Sequence, residues 1–181
     1  MLIDKYGAES DVVRVRVYGE FPKAESDAFI PLEIVELAAG ATVEPVGDTL
    51  HLGVDVARFG DDETTIAPRI GMKVFDLRVY NKQDTMATVG KVIAAGKEML
   101  RSFAQLRSVV ITVDDSGVGG GVTDRLNEVI LEERLYDWRV IPINNGSRPT
   151  DDEEEHYENR GTEAWAVLRD VLQDCFSKHL Q

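Results

Sequence analysis

The run Val109-Val110-Ile111-Thr112-Val113 is almost wholly apolar and β-branched, and it ends in Asp114. Such a run is the mark of a central strand buried on both faces, which demands a sheet covered by helices. A second run, His51-Leu52-Gly53-Val54, also ends in an aspartate, Asp55, and then breaks into a turn around Gly60. If the two are neighbouring parallel strands, both carboxylates emerge at one sheet edge, where open α/β sheets place their ligands. Such an edge suits a divalent metal.

The rest of the pattern supplies the sheet. Residues 50–57 read as a strand, residues 58–62 as a turn, and residues 63–69 and 72–80 as two more strands joined around Gly71. Three strands this close predict an antiparallel meander. From Asp84, a plausible N-cap, to about Leu106, apolar residues at Met86, Val89, Ile93, Leu100 and Phe103 predict an amphipathic crossover helix. Val122, Leu126, Val129 and Ile130 predict another helix, residues 138–143 a fifth strand, and Trp165, Leu168, Leu172 and Phe176 the inner face of a last helix. Residues 147–158, polar and acidic, read as a mobile loop. Ahead of this, residues 11–21 alternate as a half-buried strand and residues 30–39 read as a short helix. The expected domains are therefore a lead-in strand and helix over residues 1–48 and a main domain over 49–181. The order β-β-β-α-β-α-β-α predicts a ribonuclease H-like α/β fold: a mixed five-stranded sheet, three antiparallel strands followed by parallel crossovers, flanked by helices.

Composition narrows the class. Thirty-three acidic against twenty basic side chains give a net charge of −13, which disfavours general attraction to polyanions unless metal ions or a locally basic groove intervene. The single cysteine, Cys175, excludes an internal disulfide framework and a multi-cysteine zinc site. No apolar stretch approaches the roughly 20 residues of a membrane span, and the N-terminus lacks a signal-peptide layout. The expectation is a soluble, cytoplasmic protein with no membrane partner.

Asp55 and Asp114 are the first two candidates for metal ligands, because sheet-fixed carboxylates suit Mg²⁺ or Mn²⁺ that keep several waters. Each alone reads more readily as a turn or cap residue; their matched placement is what reverses this and argues for a site. Asp115 and Asp62 are weaker candidates, closer to turn or supporting groups. The glycines at 117, 119, 120 and 121 permit a phosphate contact through Gly119 or Gly120 before a helix, or a plain tight turn. Arg58, Arg125 and Arg160 are candidate phosphate contacts, each with a solvated surface role as the alternative.

The chain resembles the nuclease domain of the large terminase subunit of tailed bacteriophages. The carriers are Val17-Tyr18-Gly19-Glu20-Phe21-Pro22, Leu52-Gly53-Val54-Asp55-Val56-Ala57-Arg58-Phe59-Gly60-Asp61-Asp62, the run from Val113-Asp114-Asp115-Ser116-Gly117 to Thr123-Asp124-Arg125-Leu126, and Glu158-Asn159-Arg160-Gly161-Thr162-Glu163-Ala164-Trp165. The resemblance implies an endonuclease that cuts concatemeric double-stranded viral DNA during packaging with two Mg²⁺ or Mn²⁺ ions held by three acidic residues. Asp55 and Asp114 take the first two acidic positions. The family's third acid lies beyond the last helix, so the expectation here is a C-terminally truncated domain that also lacks the packaging ATPase. Implied partners are the viral portal, the small terminase subunit and an ATPase motor domain, and the implied location is the host cytoplasm. Two other readings are a non-catalytic docking module for DNA or the portal, and an actin-like or sugar-kinase-like nucleotide binder suggested by Gly60 and Thr64-Thr65 after the first strand.

Overall fold

In a computed structural model of the chain, residues 17–19, 28–57, 63–81, 84–116, 119–150 and 157–176 are described. The chain divides into two units, Met1–Thr42 with Glu163–Gln181, and Val43–Thr162.

The second unit is built on strand alternation. β1 (Thr49–Asp55) buries Leu50, Leu52 and Val54 and leaves His51, Gly53 and Asp55 on the other face. β2 (Glu63–Ile70) pairs with it antiparallel, setting Ile66 beside Val54 and Ile70 beside Leu50. β5 (Ser108–Asp114) pairs parallel on the opposite side, with Leu52 beside Ile111 and Val54 beside Val113. Val109, Val110 and Ile111 are consecutive and all buried, so this strand is covered on both faces, as its composition predicts. β6 (Trp138–Ile143) adds a second parallel neighbour to β5.

The predicted third strand, residues 72–80, is broken into β3 (Lys73–Val74) and β4 (Arg78–Asn81), so among the described residues the sheet has six strands in the order β3-β2-β1-β5-β6 with β4 also on β2. Val74 pairs with Arg69 and Arg78 with Ile66, which sets three residues of the edge strand opposite two of β2. The cause is Pro68: it has no N–H to donate to an edge partner, and its carbonyl instead accepts from Phe75 N at 2.9 Å. A bulge absorbs the extra residue.

α2 (Thr85–Ser102) crosses between β4 and β5, and α3 (Gly119–Glu132) between β5 and β6. Asp84 caps α2 through its side chain, accepting from Ala87 N at 2.7 Å. Val89, Val92 and Met99 of α2 and Val122, Leu126 and Ile130 of α3 close over Leu50, Leu52, Ile66, Ile111 and Val113 in one core. Each such side chain contributes about 1.5–3 kcal/mol by leaving water. Trp138 packs against α2 at Gly96: a Cβ there would stand 2.3 Å from the indole ring. Gly96→Ala gains about 1 kcal/mol of helix propensity but overpacks a rigid buried ring, for a net loss expected near 1–2 kcal/mol in urea unfolding. A stabilised variant would show that Trp138 is free to move.

In the first unit, α1 (Leu32–Gly40) buries Ile34, and α4 (Arg160–Phe176), most of which belongs here, buries Ala166. The predicted inner face of this last helix needs correction, because Trp165 is 60% and Leu168 44% exposed. The less exposed stripe runs through Ala166, Arg169, Leu172, Gln173 and Phe176, so Leu172 and Phe176 of the predicted face stay on it while Ala166 and Arg169 replace Trp165 and Leu168. Arg169 lies 4.8 Å over the Phe29 ring, a cation–π contact on this stripe. The predicted lead-in strand lies outside the described residues except at Val17, Tyr18 and Gly19; there Val17 and Tyr18 are π-helical, not extended, and Gly19 has φ 69. No helix among the described residues is long and apolar enough to cross a membrane.

Candidate metal centre at the strand ends

Asp55 and Asp114 are the last residues of two adjacent parallel strands. Val54 and Val113 are register partners, and the aspartates are the next residue on each strand. Both therefore stand on the sheet face opposite the Val54 and Val113 side chains, one strand spacing apart, about 4.8 Å. Asp55 is exposed and Asp114 half-buried. Beyond Asp55 the chain is tied back by Ala57 N, which donates to the buried Thr64 hydroxyl at 3.2 Å.

The Asp114 carboxylate is held on both oxygens. Ser116 N donates to Oδ1 at 2.9 Å and Asn145 Nδ2 to Oδ2 at 2.8 Å. Asn145 follows β6, whose Ile143 is the register partner of Asp114, so parallel pairing of β5 and β6 delivers it to the site. Asn144-Asn145-Gly146 carries only a turn signal in the sequence, and nothing local points to Asp114. The entrance of α4 joins the same cluster: Gly161 N donates to Asn145 O at 3.0 Å and Arg160 N to Ser147 O at 2.9 Å. Asn159 caps this helix, accepting from Thr162 N at 2.9 Å.

Other candidates are placed differently. Asp115 accepts a 3.3 Å bond from Thr123 of α3, which turns its carboxylate toward that helix and away from the face shared by Asp55 and Asp114. Gly119 and Gly120 form the first turn of α3, and Gly119 is there for space: a Cβ would lie 1.9 Å from the Asp114 carbonyl oxygen. Arg125 sits in a groove of about 360 Å³ between α2 and α3, beside Val89, Ile93 and Val129. Its guanidinium is taken up by Glu128 at 2.8 Å and Glu132 at 2.9 Å, and hydrogen bonds to these glutamates push its pKa up. Arg160 is half-buried at the α4 entrance. Arg58, Asp62 and the acidic run at 151–155 lie outside the described residues.

On the same sheet face, four residues before Asp55, His51 stands next to Arg69 and, across Val110 of β5, two strands from Arg139. Burial first, then these two guanidinium groups, hold its pKa below the usual 6.5. The unfolded chain thus takes up the proton first. Stability from neutral His51 is complete above about pH 6.5 and is lost as pH falls through the lower folded value. His51→Gln is expected to flatten this acid arm, read as the difference between melting temperatures at about pH 7 and pH 5.

Two hard carboxylates at a partly open edge fit Mg²⁺ or Mn²⁺, which often bind through one or two carboxylates and complete their shell with water and substrate oxygens. Among the described residues, no group of three His, Cys, Asp or Glu side chains is gathered that could hold a metal.

No family model matches the chain, and no curated protein matches it. Among solved structures it is similar to the nuclease domain of the large terminase subunit gp2 of bacterial virus Sf6, at 17% identity and a TM-score of 0.62, over 80% of this chain and 64% of that one. A mutant of that domain with manganese and beta-thujaplicinol gives a TM-score of 0.56 at the same identity and coverage. A form with calcium gives 0.54 over 74% of this chain and 56% of that one. At this identity the likeness establishes the fold, a ribonuclease H-like mixed sheet with flanking helices. The chain spans 64% of the length of the first of these domains.

Proposed function

We propose that this chain is a metal-dependent endonuclease domain of a viral DNA-packaging terminase that cuts concatemeric double-stranded DNA in the host cytoplasm. The observation that carries the reading is the pairing of Asp55 and Asp114 at the ends of adjacent parallel strands in a fold shared with terminase nuclease domains. Two bound Mg²⁺ or Mn²⁺ ions would activate a water and stabilise the leaving oxygen of the phosphodiester. Asp55 and Asp114 would hold them, the sheet fixing both carboxylates while the open edge leaves room for the DNA backbone. Asp114 accepts two hydrogen bonds and so presents its remaining lone pairs in one orientation. Arg160, at the helix entrance tied to Asn145 and Ser147, is the described arginine best located to meet a phosphate. The portal, the small terminase subunit and an ATPase motor are the partners this reading implies.

Conversion of supercoiled plasmid to nicked and linear forms tests it. Cutting is expected with Mn²⁺ or Mg²⁺ and none with a chelator. Inactivity in both metals with retained DNA or portal binding would instead favour a docking module.

A further inference from the structure

We infer that Asn145 is a positioning residue for Asp114: its carboxamide fixes which oxygen lone pairs the Asp114 carboxylate offers to a divalent cation, an inference that rests on the nuclease reading of this site. An ionised carboxylate only accepts hydrogen bonds, so the amide nitrogen is the end of Asn145 that can face it, and the 2.8 Å contact to Oδ2 is a donated N–H. With Ser116 N on Oδ1, each oxygen has one lone pair occupied and one left, and the plane of the group is set from both sides.

An exposed asparagine on a loose loop would do this poorly, because it would lose side-chain and backbone freedom to make one bond. Asn145 is exposed, yet its backbone is anchored. Asn144 O accepts from Ser147 N at 3.0 Å and Ser147 Oγ at 2.7 Å, and Asn144 Oδ1 accepts from Gly146 N at 2.9 Å. On the other side, Gly161 N donates to Asn145 O, and a Cβ at position 161 would come within 3.4 Å of both Asn145 Cβ and Asn145 O. The first turn of α4 is thus packed directly on the residue that holds Asp114. A carboxamide carries no charge and does not titrate near neutrality, so it orients the ligand without competing for the cation as a third anion would. Groups that hydrogen-bond a ligating carboxylate typically change metal affinity about 10- to 100-fold when removed.

The test is titration of the whole chain with Mn²⁺, followed by the electron paramagnetic resonance signal of the free ion, for wild type, Asn145→Ala and Asp114→Asn. The melting temperature of each is read without metal. Asn145→Ala is expected to weaken Mn²⁺ binding about 10-fold or more while its melting temperature falls only by the roughly 2–4 °C of one lost hydrogen bond, and Asp114→Asn to abolish the site. If wild type binds Mn²⁺, Asp114→Asn loses it and Asn145→Ala binds as wild type does, the positioning role is overturned while the metal reading stands. A fall in melting temperature well beyond that one-bond loss, alongside the lost affinity, overturns it as well, in favour of a purely structural turn. A wild type that binds no Mn²⁺ overturns this inference together with the reading beneath it.

Discussion

Asp55→Asn and Asp114→Asn are each expected to slow Mn²⁺-dependent plasmid nicking by roughly 100- to 1,000-fold. A bound metal supplies several kcal/mol of transition-state charge stabilisation, and each 1.4 kcal/mol is a factor of ten. An amide is nearly the same shape as a carboxylate but brings no negative charge to the cation, so the loss falls on the site and not on the sheet. The two variants differ in stability. Asp55 is exposed at a strand end, and its replacement is expected to leave the melting temperature alone. Asp114→Asn sets an N–H against the Asn145 amide, or gives up the Ser116 bond, at about 1 kcal/mol or roughly 2–4 °C. In the proposed mechanism both carboxylates hold the same metal ions, so the double variant is expected to be about as slow as either single one. Additive losses would mean that each aspartate serves a separate step.

Gly119→Ala is expected to cause the largest loss of stability among single methyl additions in the strand-end region. Its Cβ would stand 1.9 Å from the carbonyl oxygen and 2.8 Å from the carbonyl carbon of Asp114. Both are backbone atoms, and no rotamer change relieves them. Relief requires lifting the first turn of α3 off the end of β5, which opens the contact around Val113 and Val122, both fully buried. Overpacking of this kind costs about 1–3 kcal/mol or more, or roughly 2–4 °C in melting temperature per kcal/mol. Because the clash is with Asp114 itself, nicking should fall along with stability. Gly120→Ala is the matched control: its Cβ would meet only the Asp115 side chain, at 3.4 Å. Equal melting temperatures for the two variants would contradict the close approach.

The parts of the fold legible in the sequence are those set by local chemistry. The β-branched run ending at Asp114, the alternation ending at Asp55 and the Asp84 cap are all where their residues place them. What stayed hidden depends on distant partners. The split of the edge strand follows from a missing donor at Pro68, visible only once Phe75 lies opposite it. On the last helix Arg169 meets Phe29, 140 residues away in sequence, and no local signal marks that pairing. Asn145 reaches Asp114 through the parallel register of β5 and β6, and a turn signature gives no warning of that. Arg125 is the case where a local signal was present: Glu128 lies three residues on along one helix, the spacing of a surface ion pair. Pairing with its own helix competes with a phosphate role.

Anomalous scattering from crystals of the chain soaked in Mn²⁺ tests the central claim most directly. Manganese is expected at the ends of β1 and β5, with carboxylate oxygens of both Asp55 and Asp114 about 2.1 Å from the metal. Manganese bound elsewhere, with these two carboxylates left to water, would contradict it.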